Sequence, residues 1–205
     1  ASGERLWAHQ FTENDVWNLS CDLPILSLNC PDEEQGHDLD FGAPPIIATS
    51  KQHGQLVFAG QKSGMVFAMK PDTGELVWEQ RAGRGGKLGG VHWGMAVSEK
   101  LNLLFVPMSD RNMGATVNEG ASPGLHALDL DTGDIVWSAH HVNTCAEISG
   151  CDAGLSAAVM ANDSLVFAGG LDGNVYAYDA KTGEVLWTFG TDRSFASVSQ
   201  EQAHG

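Results

Sequence analysis

From residue 41 to residue 190 the chain is a series of short apolar or alternating runs, each closed by a turn rich in Gly, Asp and Asn. In the last unit "SLVFAGG" (164–170) alternates and is rich in β-formers, "LDGN" turns, "VYAYDA" is the next strand, "KTG" the next turn and "VLWTF" the last strand. "GLSAAVMA" (154–161) upstream supplies a fourth strand. Gly173 and Gly183 suit turn positions that need positive φ. The same order occurs twice before, as "PPIIAT", "LVFAGQ", "MVFAMK", "LVWEQ" and then as "GMAVS", "LLFVPM", "LHALDL", "IVWSAH". The pattern predicts four short antiparallel strands per unit, the composition of a propeller blade.

The units also share words. "AMKPDTGELVW" (68–78), "ALDLDTGDIVW" (127–137) and "AYDAKTGEVLW" (177–187) each place a Trp four residues after a Thr-Gly pair. "SGERLW" (2–7) is the back half of a fourth copy. The tryptophans at 7, 78, 137 and 187 stand 71, 59 and 50 residues apart, which suits a repeat with variable loops. A flat side chain at the end of an outer strand can stack on the neighbouring blade, and a Thr-Gly turn leaves room for it. Asp129 and Asp179 can accept hydrogen bonds from turn amides. Trp78, Trp137 and Trp187 are therefore read as packing residues.

Composition narrows the function. With 205 residues and 42% hydrophobic content the chain can build a core. A net charge of −15 argues against a nucleic-acid partner and against anionic membrane surfaces. No apolar run is long enough to span a bilayer, and no signal peptide is visible, although a processed, exported chain would look the same. The four cysteines form two close pairs, Cys21 with Cys30 and Cys145 with Cys151. Neither pair has zinc-finger or haem-attachment spacing. Two short disulfide loops in an oxidising compartment, periplasmic or secreted, are the simplest reading, against four buried free thiols.

The Ala-x-Asp-x-x-Thr-Gly-x-x-x-Trp words resemble the tryptophan-docking motif of the quinoprotein β-propellers, with Lys70 standing where Asp is expected in the first copy. "DLDFGAPPI", "GQKSGMVFAM", "GRGGKLGGVHWGMA" and "GLSAAV" look more specifically like the polyvinyl alcohol dehydrogenase branch of the alcohol dehydrogenases that use pyrroloquinoline quinone (PQQ). The resemblance implies a propeller, usually of eight blades, with PQQ and a calcium ion near its axis. About three complete blades are expected here, as part of such a propeller, with other chains as one way to complete it. The expected divisions are an outer strand at 1–12, a disulfide-containing loop at 13–40, blades at 41–83, 84–143 and 144–190, and a connector at 191–205. The implied reaction is oxidation of an alcohol, secondary or polymeric, by hydride transfer to the quinone. An electron acceptor such as a cytochrome c would follow. The alternative is a non-enzymatic propeller that binds proteins, like the outer-membrane assembly lipoproteins that share the repeat.

Four residues carry the implied chemistry. "NDVWN" matches the family's Asp-x-Trp segment, which makes Asp15 the general base on the substrate hydroxyl and a possible calcium ligand. The plain alternative is an Asp capping a loop. Asn18 departs from relatives that place a second Asp there. Lys62, in the turn "GQKSG", matches a Lys or Arg aimed at the quinone carbonyls, where it would stabilise charge on the reduced cofactor; otherwise it is a solvated turn lysine. His92 and Trp93, in "GGVHWGMA", stand where relatives place Asn-Trp against PQQ. "RAGRGGKLGG" (81–90) fails as a phosphate loop, because Leu88 follows the Lys, and reads as a glycine-rich inter-blade loop whose Arg84 and Lys87 could meet an anionic cofactor. "EEQGHDLD" (33–40) reads as a solvated acidic loop, and His140 and His141 as structural residues on opposite strand faces.

Overall fold

The computed structural model describes residues 2–23, 29–31, 38–111, 120–142, 145, 148, 150–199 and 202–204. Three four-stranded antiparallel sheets follow one another along the chain. The first holds β1 (Ile46–Ser50), β2 (Gly54–Gly60), β3 (Met65–Met69) and β4 (Leu76–Arg81). The second holds β5 (Ala96–Ser98), β6 (Leu103–Met108), β7 (Gly124–Asp129) and β8 (Ile135–His140). In the third are β9 (Met160–Ala161), β10 (Leu165–Gly169), β11 (Asn174–Asp179) and β12 (Val185–Gly190). Each sheet is a simple up-and-down meander, so the chain is all-β with three propeller blades. None of the described helices is long and apolar enough to cross a membrane.

The middle strands read as continuous apolar runs because both their faces are covered. Successive side chains of a strand point to opposite faces. Leu104, Val106 and Met108 of β6 pack with Leu56, Phe58 and Val66 of the first blade. Leu103 and Phe105 of the same strand pack with Val166, Ala168 and Tyr178 of the third. One strand thus feeds two cores, and all six of its residues are buried.

The repeated words mark the joints between blades. Trp78 lies over Gly133, where a Cβ would sit 2.6 Å from the ring, and its Nε1 donates to Leu130 O at 3.0 Å. Trp137 lies over Gly183 in the same way and donates to Ala180 O at 3.2 Å. Trp7 covers Gly74 and donates to Pro71 O at 2.7 Å. Each glycine also has a φ between 71° and 77°. Asp129 accepts from the amides of Asp131 and Thr132, and Asp179 from those of Lys181 and Thr182. Trp187 is 49% exposed, and its ring stacks on Phe189 of its own strand, 5.7 Å away between centroids.

Some expectations shift. The first strand of the second blade covers three residues and that of the third only two. Their upstream residues bond to the preceding blade instead: Leu155 N to Met108 O at 3.1 Å and Val159 N to Gly94 O at 3.0 Å. Residues 2–12 form no strand, though Trp7 docks and Phe11 stacks on Phe67 at 4.0 Å between centroids. The segment read as a connector carries a small hairpin, β13 (Ser194–Ala196) with β14 (Gln202–His204). Both disulfides are formed, Cys21–Cys30 and Cys145–Cys151.

Candidate functional site

The turns joining second to third strands and the loops leading into each first strand meet at one end of the blades. Val91 N donates to Gln61 O, and Ser109 N to Gly90 O. The β2–β3 turn carries Lys62 and the loop into β5 carries His92, so these two come together although thirty residues separate them.

Lys62 is buried, and its ammonium lies between two carboxylates, 2.7 Å from Asp40 Oδ1 and 3.2 Å from Asp38 Oδ2. Burial pulls its pKa down, but the hydrogen bonds and charges of Asp40 and Asp38 outweigh that and hold it above the ordinary lysine value. Its backbone N–H donates to Asp40 O at 3.1 Å. The end of the acidic loop is therefore a clasp over this turn, and the solvated reading fails for Asp38, whose side chain is 16% exposed.

Asp15 fixes the clasp. Its Oδ1 accepts the N–H of Asp38 at 2.8 Å and its Oδ2 that of Leu39 at 2.5 Å. The 3-10 turn Leu19–Asp22 follows, capped by Asn18, whose side chain accepts from Ser20 N at 2.9 Å. Between them Trp17 holds its Nε1 buried without a hydrogen-bond partner.

His92 has the same property: its Nδ1 is buried and unpartnered. Burial lowers the His92 pKa, Lys62 lowers it further, and Asp40 and Asp38 act against both. Gly42 lies against the His92 backbone, and a Cβ there would meet His92 O at 2.9 Å. Trp93 is 46% exposed, and its Nε1 donates to Ser156 Oγ of the third blade's entry loop at 3.0 Å. Arg81, Arg84 and Lys87 line a groove of about 370 Å³ with Leu39 and Ser63, beside the Lys62 turn. Lys87 pairs with Asp22 and lies 5.4 Å from the Trp17 ring centroid.

Asp15, Lys62 and His92 thus share one neighbourhood through loop 38–42, and Trp93 adjoins it. Asp110 escapes sequence reading, and Asp38 and Asp40 are read there only as the end of a solvated loop. Asp110 had one signal: it stands two residues past the end of β6, as Lys62 stands two past the end of β2. Among the described residues no three His, Cys, Asp or Glu side chains converge on a metal position. His140 Nδ1 lies 3.2 Å from Ser122 Oγ and His141 Nε2 2.6 Å from Tyr178 OH, and His126, which the sequence did not single out, is buried between Ser138 Oγ and Ser122 O, both at 2.8 Å.

Known proteins bear on this geometry. The PQQ-repeat family model described as outer membrane protein assembly factor BamB matches residues 1–188. The chain belongs to this family of PQQ propellers. A polyvinylalcohol dehydrogenase of Pseudomonas sp is 36% identical over the whole chain, and one of Sphingopyxis sp. is 30% identical over 86% of it. A quinoprotein ethanol dehydrogenase of Pseudomonas putida is 25% identical over 96% of the chain. The chain spans 31%, 27% and 37% of these three relatives. Among solved structures, the quinohemoprotein alcohol dehydrogenase of Comamonas testosteroni superposes on 81% of this PQQ-family chain and 23% of its own, at TM-score 0.51 and 20% identity. BamB from Moraxella catarrhalis superposes on 75% of this chain and 39% of its own, at TM-score 0.50 and 19% identity. These structures share the fold. The resemblance to quinoprotein dehydrogenases, drawn from the sequence, is borne out by the curated relatives.

Proposed function

We propose that the chain forms part of a PQQ-dependent dehydrogenase that oxidises alcohols to carbonyl compounds, and that loops 13–17, 38–42, 61–64 and 82–93 build one side of its cofactor and substrate site. The carrying observation is a pair of buried N–H-bearing rings, His92 and Trp17, each with an unpartnered nitrogen near a cation. A buried polar atom without a partner costs about 1–3 kcal/mol, and an acceptor-rich, anionic group such as PQQ would supply the missing bonds. The residues present fit that group. When bound, the quinone accepts the hydride from the alcohol carbon.

The chain's own residues do the rest. A carboxylate offers about four lone-pair directions, and the amides of Asp38 and Leu39 use two at Asp15. The other two remain to take the hydroxyl proton as the C–H bond breaks. Lys62 has three N–H donors, and Asp38 and Asp40 take two of them, which leaves one for an acceptor on the cofactor. A neutral His92 offers one N–H to a cofactor acceptor. Calcium, expected beside Asp15, has no three-ligand cluster among the described residues.

The names of the two polyvinylalcohol dehydrogenase relatives support a secondary or polymeric alcohol as substrate. A periplasmic or secreted location, with a cytochrome c type of acceptor, is consistent with the two disulfides. The test is dye-linked oxidation of secondary alcohols and polyvinyl alcohol by the intact protein supplied with PQQ and calcium. Asp15→Asn should lower kcat by about 100-fold or more. Full activity in that variant would overturn the role of Asp15. Failure to take up PQQ absorbance would favour the protein-binding scaffold.

A further inference from the structure

Asp110 is 3% exposed and stands in the left-handed region at φ 42°, where a non-glycine residue is uncommon. Its carboxylate accepts four backbone amides. Oδ2 takes those of Arg84 and Ser122, both at 2.8 Å, and Oδ1 those of Gly85 at 2.9 Å and Gly90 at 3.1 Å. Three of the four belong to the glycine-rich loop that enters the second blade. Asp110 lies within that blade, just beyond β6.

The same loop lies flat on the turn that bears Lys62. Gly86 N donates to Lys62 O at 2.9 Å. A Cβ at Gly90 would stand 2.1 Å from Lys62 O, and one at Gly85 2.3 Å from the Ser63 backbone. Two residues after Gly90 the chain reaches His92.

We propose that Asp110 is a positioning residue, which holds loop 84–90 against turn 61–64 and thereby sets Lys62 and His92 at a fixed separation. The inference rests on the reading of Lys62 and His92 as site residues for its functional meaning, but its geometry needs no cofactor. The glycines make the close approach sterically possible, and the carboxylate satisfies three loop amides at once. An amide in its place has a single acceptor oxygen and turns an NH2 group on the remaining N–H donors. Asp110→Asn should release the loop.

The experiment is an NMR titration of the His92 ring in the chain without PQQ, assigned by His92→Gln. His92 is faced by Lys62, Asp38 and Asp40 and is partly desolvated. In Asp110→Asn its midpoint should rise toward the ordinary histidine value while that of His141 stays in place. Asp131→Asn is the control for mere loss of stability. That acid is buried at the opposite end of the blades, on Gln52 N and Asn102 Nδ2, and its removal should leave His92 unmoved. Gly90→Ala attacks the same contact from the other side and should raise the His92 midpoint as well. An unchanged His92 midpoint in either loop variant would overturn the proposal. So would free-loop hydrogen-exchange rates at the Gly85 and Gly90 amides of the unaltered chain, a result obtained even if both variants fail to fold. Loss of PQQ binding by the intact protein would strike the dehydrogenase reading and leave these midpoints untouched.

Discussion

A buried ammonium in a chain of net charge −15 has many possible partners, and Lys62 takes two that are remote in sequence. Its charge matters to the neighbouring imidazole. Lys62→Met should raise the His92 midpoint, since it removes the cation that lowers it and leaves Asp40 and Asp38, which raise it. The same NMR titration reads this. His126 gives a stability prediction. Burial holds its pKa below 6.5, so between that value and the lower folded one the unfolded chain binds more protons. Stability from neutral His126 is complete above about pH 6.5 and is lost as pH falls through that window. Thermal midpoints should drop from pH 7 to pH 5, and His126→Gln should flatten the slope. Asp15, Lys62 and His92 could be singled out as candidates from the sequence, because each sits in a short word. Asp38 and Asp110 could not, because their partners lie 24 residues away at Lys62 and 26 at Arg84. A carboxylate's own neighbours in sequence do not say which distant amide or amine it will meet.

At the scale of elements the Thr-Gly-Trp word encodes more than a turn. In each blade the pairing register slips just after the alanine opposite the docking Trp: at Ala68, Ala127 and Ala177. The slip leaves one residue of the outer strand unpaired, a bulge that increases local twist at the joint. The repeat's fixed spacing made the joint legible, whereas the bulge was not, since nothing in the pattern distinguishes the unpaired Val77 from its neighbours. The short β5 and β9 were also hidden, because their upstream amides bond to another blade. Two glycines separate conformation from contact. Gly54 has φ 71° and open space within 4 Å of where a Cβ would stand, while Gly133 has φ 77° and the Trp78 ring at 2.6 Å. Gly54→Ala should cost about 1–2 kcal/mol from the left-handed conformation alone. Gly133→Ala should cost about 2–4 kcal/mol, the excess coming from displacement of the indole. Urea unfolding of both variants measures the difference.

Among the described residues, one core joins the first blade to the second and another the second to the third, so stability passes from one to the next. The middle blade has both faces covered, while β12 of the third exposes Val185, Leu186 and Trp187. Amide exchange in this chain should be faster in β12 than in β8 or β4, with β6 slowest; uniform protection would contradict it. The joints also have a sense of direction. Trp78 and Trp137 are tongues of one blade, and the turns at Gly133 and Gly183 are grooves of the next. A tongue does not fit a tongue. Two-fold pairing of the Trp187 face with itself would set indole against indole, with neither N–H aimed at a carbonyl. By the same geometry Trp187 is a tongue that a Thr-Gly turn would receive, so stacking on it has one direction.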